Sequence, residues 1–214
     1  KGYNVIYLGA SIPLDQLEQT AALIRPTMVI LAAQQLNTTP GLRSAAILFQ
    51  GMNIPLGYGG LVFNRLPALR EIIPATFLGE NLENVPVMIE KMIVDPSSFS
   101  TPPKEISQYS DAAAIYQTKS LSIEAIAMEY LRNAGMNNEY LSEVNAFFSS
   151  NLSAALEMGK PAYMEPDLAW VKQLLADRNI PTSSLDLYLD AYSHAVGSIM
   201  GKAGLPITEW ISSY

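Results

Sequence analysis

Met28-Val29-Ile30-Leu31-Ala32-Ala33-Gln34 is the stretch on which the reading of the fold turns. Four consecutive apolar residues give way to two alanines and then to a polar cluster. The run shows no polar alternation, so it reads as a strand covered on both faces. Three other runs share this character: Val5-Ile6-Tyr7-Leu8 before Gly9, Pro55-Leu56-Gly57-Tyr58 before Gly59-Gly60, and Ala75-Thr76-Phe77-Leu78 before Gly79. Between and after them lie segments of helical character. Residues 12–24 carry Leu14, Leu17, Ala21 and Ile24 at helical spacing, 39–49 end before Gly51, 66–72 are short, and 82–93 follow the last strand. Apolar strands alternating with helices predict a parallel α/β sheet over residues 1–95.

The character changes at Asp95-Pro96-Ser97-Ser98-Phe99-Ser100-Thr101-Pro102-Pro103, which is turn and linker chemistry. A linker is expected over 96–108 and a helical domain over 109–214. Its predicted helices span 115–133, 139–158, a stretch opened by Pro166, and one opened by Pro181-Thr182-Ser183. The last carries Leu185, Leu189, Tyr192, Val196 and Met200 in line. Gly204-Leu205-Pro206 ends it, and a short tail holds Trp210. The domain reads as an all-α helical bundle.

The bulk numbers narrow the function. A hydrophobic share of 49% can fill a sizeable core, and a net charge of −7 repels phosphate backbones, so direct nucleic-acid contact is not expected. There is no cysteine, which removes disulfides, thiolate metal sites and a cysteine nucleophile. No apolar run is long enough to cross a bilayer, and Lys1-Gly2-Tyr3-Asn4 shows no signal-peptide pattern. A cytoplasmic chain without membrane contact is the expectation. Gly-x-Ser-x-Gly is absent, and a single histidine, His194, makes a histidine metal site a poor fit.

Gly2-Tyr3-Asn4-Val5-Ile6-Tyr7-Leu8-Gly9-Ala10-Ser11-Ile12-Pro13 resembles the second strand of cobalamin-binding domains, closest to those of MerR-type light-responsive transcriptional regulators. The resemblance covers residues 2–93. It implies a flavodoxin-like sheet, here without its first strand, whose slot at the strand ends takes the lower ligand tail of cobalamin. In that family an Asp/Glu-x-His-x-x-Gly loop, a Ser-x-Leu and a Gly-Gly line the slot. Gly59-Gly60 stands where the Gly-Gly belongs. Ala32-Ala33-Gln34 stands at the Ser-x-Leu position, with Ala for Ser and Gln for Leu. The histidine loop belongs before the Gly2-Tyr3 strand and has no counterpart in these residues. Helical segments such as Asp167-Leu168-Ala169-Trp170 and Arg178-Asn179-Ile180-Pro181 resemble those that accompany such domains, where they usually come first. The implied cofactor-binding residues are Ala32, Gln34, Leu36, Gly59, Gly60 and Gly79. No catalytic or metal-binding residue is implied within the chain.

Each feature also has a plainer reading. Gly59-Gly60 at a strand end either lets a bulky ligand approach the backbone or makes a strand-to-loop turn. Gln34, Gln35, Asn37, Thr38 and Thr39 either bind polar groups of a ligand or cap the next helix. Gly79-Glu80-Asn81 either closes the same pocket or caps the last α/β helix. His194 reads as a helix residue rather than a cobalt ligand. Tyr188, Tyr192, Phe147, Phe148 and Trp170 read as bundle core.

Three functions compete. The first is a sensor or regulator module, photoreceptor-like by its resemblance, that binds cobalamin or another tetrapyrrole-like ligand and signals through contacts with other protein chains. The second is a cofactor-free interaction module on the same scaffold. The third is the cobalamin-carrying part of a methyltransferase or mutase, in which the cofactor performs the chemistry. The chain itself is expected not to be an enzyme, and to work as part of an oligomer or beside an upstream segment of the same protein. That segment is expected to supply the missing strand between Val5–Leu8 and the Val29–Leu31 run, because the strand order of the fold is 2-1-3-4-5.

Overall fold

An apolar run becomes a strand only where a neighbouring backbone takes up its N–H and C=O groups. In the computed structural model, three of the four runs meet that condition. The structure describes residues 2–10, 12–96, 102–106, 108–136 and 141–214. Val29–Ala32 forms β1, Leu56–Gly59 forms β2 and Thr76–Phe77 forms β3. They make a three-stranded parallel sheet in the order β1-β2-β3. Val29 pairs with Leu56 and Ala32 with Gly59, while Gly57 and Tyr58 pair with Thr76 and Phe77. The chain is mostly helical, with this small parallel sheet.

The chain divides into two units. Residues 1–34 and 41–104 form the first, and residues 35–40 and 105–214 the second. In the first, α1 is Leu14–Ile24, α2 is Thr39–Gly51, α3 is Leu61–Arg65 and α4 is Val85–Val94. Its core holds Phe49, Tyr58, Phe63, Leu69 and Ile73. The rings of Tyr58 and Phe63 meet edge-on with centroids 4.7 Å apart, and Phe77 lies 5.6 Å from Tyr58. The ends of two flexible side chains crowd Gly57 and would have to shift to admit a Cβ. A Cβ there would sit 2.8 Å from Met28 Cε and 2.9 Å from Leu78 Cδ2.

Val5–Leu8 departs from the sequence reading. It forms no strand, and all four residues are exposed. No described strand lies beside it, so the β-forming side chains have no ladder to join. The helix expected at 66–72 is instead α3 followed by a 3₁₀ turn at Pro67–Glu71. Gly60 breaks the backbone at the end of β2 and opens α3 directly, and Pro67 starts the tighter turn. Within the expected linker, residues 97–101 and 107 lie outside the described residues.

In the second unit, α5 is Ser110–Asn133, α6 Leu141–Glu157, α7 Glu165–Asp177, α8 Ser183–Met200 and α9 Leu205–Ser213. The expected start of α6 at 139 lies outside the described residues. The long helices α5 and α8 make the most extensive contact, and α6 packs on α5. Ile123, Ala127, Leu131, Leu152, Tyr192 and Val196 are fully buried between them. Trp210 lies in α9, not in a loose tail. Pro206 sits in the first turn of that helix, where its missing N–H costs nothing. Residues 110–205 contain no strand among those described, and no described helix is long and apolar enough to cross a membrane.

Candidate functional site

The carboxyl ends of parallel strands leave backbone groups and short loops pointing the same way, which is where open α/β sheets take ligands. Five of the six residues proposed from sequence meet at this edge. Ala32 and Gly59 are cross-strand partners, and the N–H of Ala33 donates to the carbonyl of Gly59 at 3.0 Å. The N–H of Leu78 donates to the carbonyl of Tyr58 at 2.8 Å, which brings Gly79 beside Gly59 and Gly60. Gln34 closes the group. Its Oε1 accepts from the N–H of Leu61 at 3.1 Å, tying the loop after β1 to the start of α3.

The two glycines of the pair do different things. Gly60 has φ +120, a region L side chains rarely adopt, and a Cβ there would lie 2.0 Å from the carbonyl oxygen of Ala33. This glycine is a packing requirement. A Cβ on Gly59, by contrast, would meet nothing within 4 Å. Gly79, at φ +119, is open too, with Asn81 O the nearest atom at 3.7 Å. Ala32, Gly59 and Gly79 therefore form a low floor without side-chain bulk. Leu36 takes no part in it. It is buried in the second unit, where the N–H of Asn37 donates to Asn151 Oδ1 at 3.2 Å.

Within the remaining polar cluster, Thr38 and Thr39 serve the local backbone, while Asn37 Nδ2 donates to Ser150 Oγ at 3.5 Å. Thr38 Oγ1 donates to the carbonyl of Gln35 and Thr39 Oγ1 to that of Leu36, each at 2.7 Å. Asn64 Nδ2 donates to the carbonyl of Glu80 at 3.0 Å, which fixes the loop after β3. Arg70, missed by sequence reasoning, braces the same side. Its Nε donates to the carbonyl of Phe63 at 2.9 Å, its Nη2 reaches Glu80 Oε1 at 2.9 Å, and its guanidinium lies 4.1 Å from the centroid of Phe77. A single arginine in the mostly apolar segment 66–73 gave no pattern from which this could be read. Burial raises the Tyr58 phenol to about 12, opposed by the charge of Arg70.

The edge formed by Ala32, Gly59 and Gly79 carries no side chain larger than a methyl group. The chain's one histidine, His194, lies in α8 of the second unit with its ring 5.4 Å from that of Tyr130. Among the described residues no group of His, Cys, Asp and Glu could hold a metal ion. The second unit also buries a polar cluster. Tyr116 hydrogen-bonds both Tyr192 and Ser149, and Tyr188 donates to Asn145 Oδ1 at 2.8 Å. Burial holds these three phenols above the ordinary tyrosine range. A surface groove of about 480 Å³ in the same unit is lined by Lys160, Glu165, Glu209 and Trp210 among others. The sequence matches no family model and no curated protein.

Proposed function

We propose that the chain is a non-catalytic sensor or regulatory module whose α/β unit takes the elongated tail of a cobalamin-class cofactor at the carboxyl edge of its sheet, as in a flavodoxin-like domain. The observation that carries this reading is the open Gly59. It stands opposite Ala32, and a Cβ on it would meet nothing within 4 Å, although one on Gly60 beside it would clash with Ala33. Packing explains Gly60 and not Gly59, and a ligand passing over that position would account for it. The resemblance of residues 2–93 to cobalamin-binding domains supplies the ligand class. Ala32, Gly59 and Gly79 would line the tail, and Gln34 would hold the edge through Leu61. When bound, the cofactor supplies the cobalt chemistry, and the protein's part is to position it. Signalling would run through contacts with other protein chains.

The cofactor-free interaction module has one observation on its side. Gln34 replaces an apolar slot residue and spends its side-chain oxygen on the backbone of Leu61. Visible absorbance separates the two. The purified chain, incubated with hydroxocobalamin and desalted, should retain a red chromophore, and Gly59→Val should lose it while keeping its helical circular dichroism. A colourless protein, or retention unchanged in Gly59→Val, overturns the cofactor site.

A further inference from the structure

β1 lies at an edge of the sheet. In a parallel ladder alternate residues bond inward, and here the N–H of Val29 donates to Pro55 O at 2.9 Å and that of Ala33 to Gly59 O at 3.0 Å. The N–H and C=O groups of Ile30 and Ala32 therefore face outward. No strand among the described residues pairs with that side. Ile30 is itself half exposed, so the edge is apolar as well as unpaired. Long-lived monomers normally blunt such an edge with charge, proline or a bulge, and Val29–Ala32 has none of these.

The same unit holds an unused strand. Val5, Ile6, Tyr7 and Leu8 are 80%, 53%, 86% and 43% exposed, an alternation with the two-residue period of extended backbone. Both faces of the run are apolar, as in strands buried inside parallel sheets. Gly9 follows at φ +85 with nothing near its Cβ position, and so forms a free joint before α1. One chain thus carries an open edge and a strand suited to it, separated by a joint and a helix.

We propose that two copies of the chain exchange this segment, Val5–Leu8 of each copy pairing with the outer edge of β1 in the other. The arrangement is reciprocal, so it closes as a dimer and leaves neither edge open. The backbone row of Ile30 and Ala32 is satisfied, and the apolar run is covered by the partner's sheet.

The absence of cysteine makes the test clean. Paired strands bring Cα atoms to the separation a disulfide needs, about 5.5 Å. Ile6→Cys and Ile30→Cys chains, mixed and oxidised, should form a mixed disulfide dimer. The parent chain should sediment at twice its monomer mass, and Ile6→Pro, which removes one ladder N–H from an exposed segment, should sediment as a monomer with unchanged helical content. A monomeric parent overturns the proposal. So does a chain bearing both cysteines that closes only on itself, or a dimer that survives Ile6→Pro.

Discussion

The carbonyl oxygen of Ala33 occupies the space that a side chain on Gly60 would need, 2.0 Å from its ideal Cβ position. The end of β1 and the start of α3 can meet only because residue 60 has no Cβ. Gly60→Ala is expected to destabilise the first unit by about 3 kcal/mol or more, from left-handed strain and the backbone clash together. Gly59→Ala, with nothing within 4 Å, should be neutral or gain up to about 1 kcal/mol. Chemical denaturation of the two variants checks the contrast, and equal losses would contradict it.

Arg70 links three parts of the first unit: Phe63, Phe77 and Glu80. Arg70→Ala should cost about 1.5–3 kcal/mol, because the carbonyl of Phe63 loses a charged donor and the Phe77 ring loses its stacked cation. Glu80→Gln should change stability by less than about 0.5 kcal/mol, since that carboxylate is well exposed. Urea midpoints for the two variants distinguish the buried contacts from the exposed ion pair.

Tyr116 is the hub of the buried cluster in the second unit, bonded to Tyr192 and Ser149. Tyr116→Phe leaves two buried hydroxyls short of a partner and is expected to cost about 1–3 kcal/mol. Tyr188→Phe strands only Asn145 Oδ1 and should cost less. Thermal unfolding followed at a helical wavelength gives the order, and a costlier Tyr188→Phe would refute it.

Alkaline pH should loosen both units. Burial raises the phenols of Tyr116, Tyr188 and Tyr192, and takes that of Tyr58 to about 12 from an ordinary 10.0. Above pH 10 the unfolded chain releases protons that the folded chain retains, so stability falls as pH rises. The Tyr58 contribution is complete below pH 10 and is lost on the way to about pH 12. The slope is about 1.4 kcal/mol per pH unit for each such tyrosine. Denaturant midpoints measured from pH 9 to 11.5 should decline, and a flat profile would show that the phenols ionise freely.

Local features were legible from residue order alone. Period and composition place β1, β2 and β3 within a residue or two, and the Pro-opened helices of the second unit follow from fixed proline φ and the apolar rows behind it. Gly59-Gly60 and Gly79 were legible at strand ends because each directly follows a short run of strand-forming residues. The remaining features depend on neighbours far away in the chain. Val5–Leu8 has the composition of a strand but no strand, since pairing is a property of two backbones and not of one. Leu36, adjacent in sequence to the site, is drawn into the second unit by burial beside Asn151. The two glycines of the pair look alike in sequence, yet only on Gly60 would a Cβ strike Ala33. The difference lies in the direction each missing Cβ would take, and that direction is set by the backbone dihedrals of the folded chain.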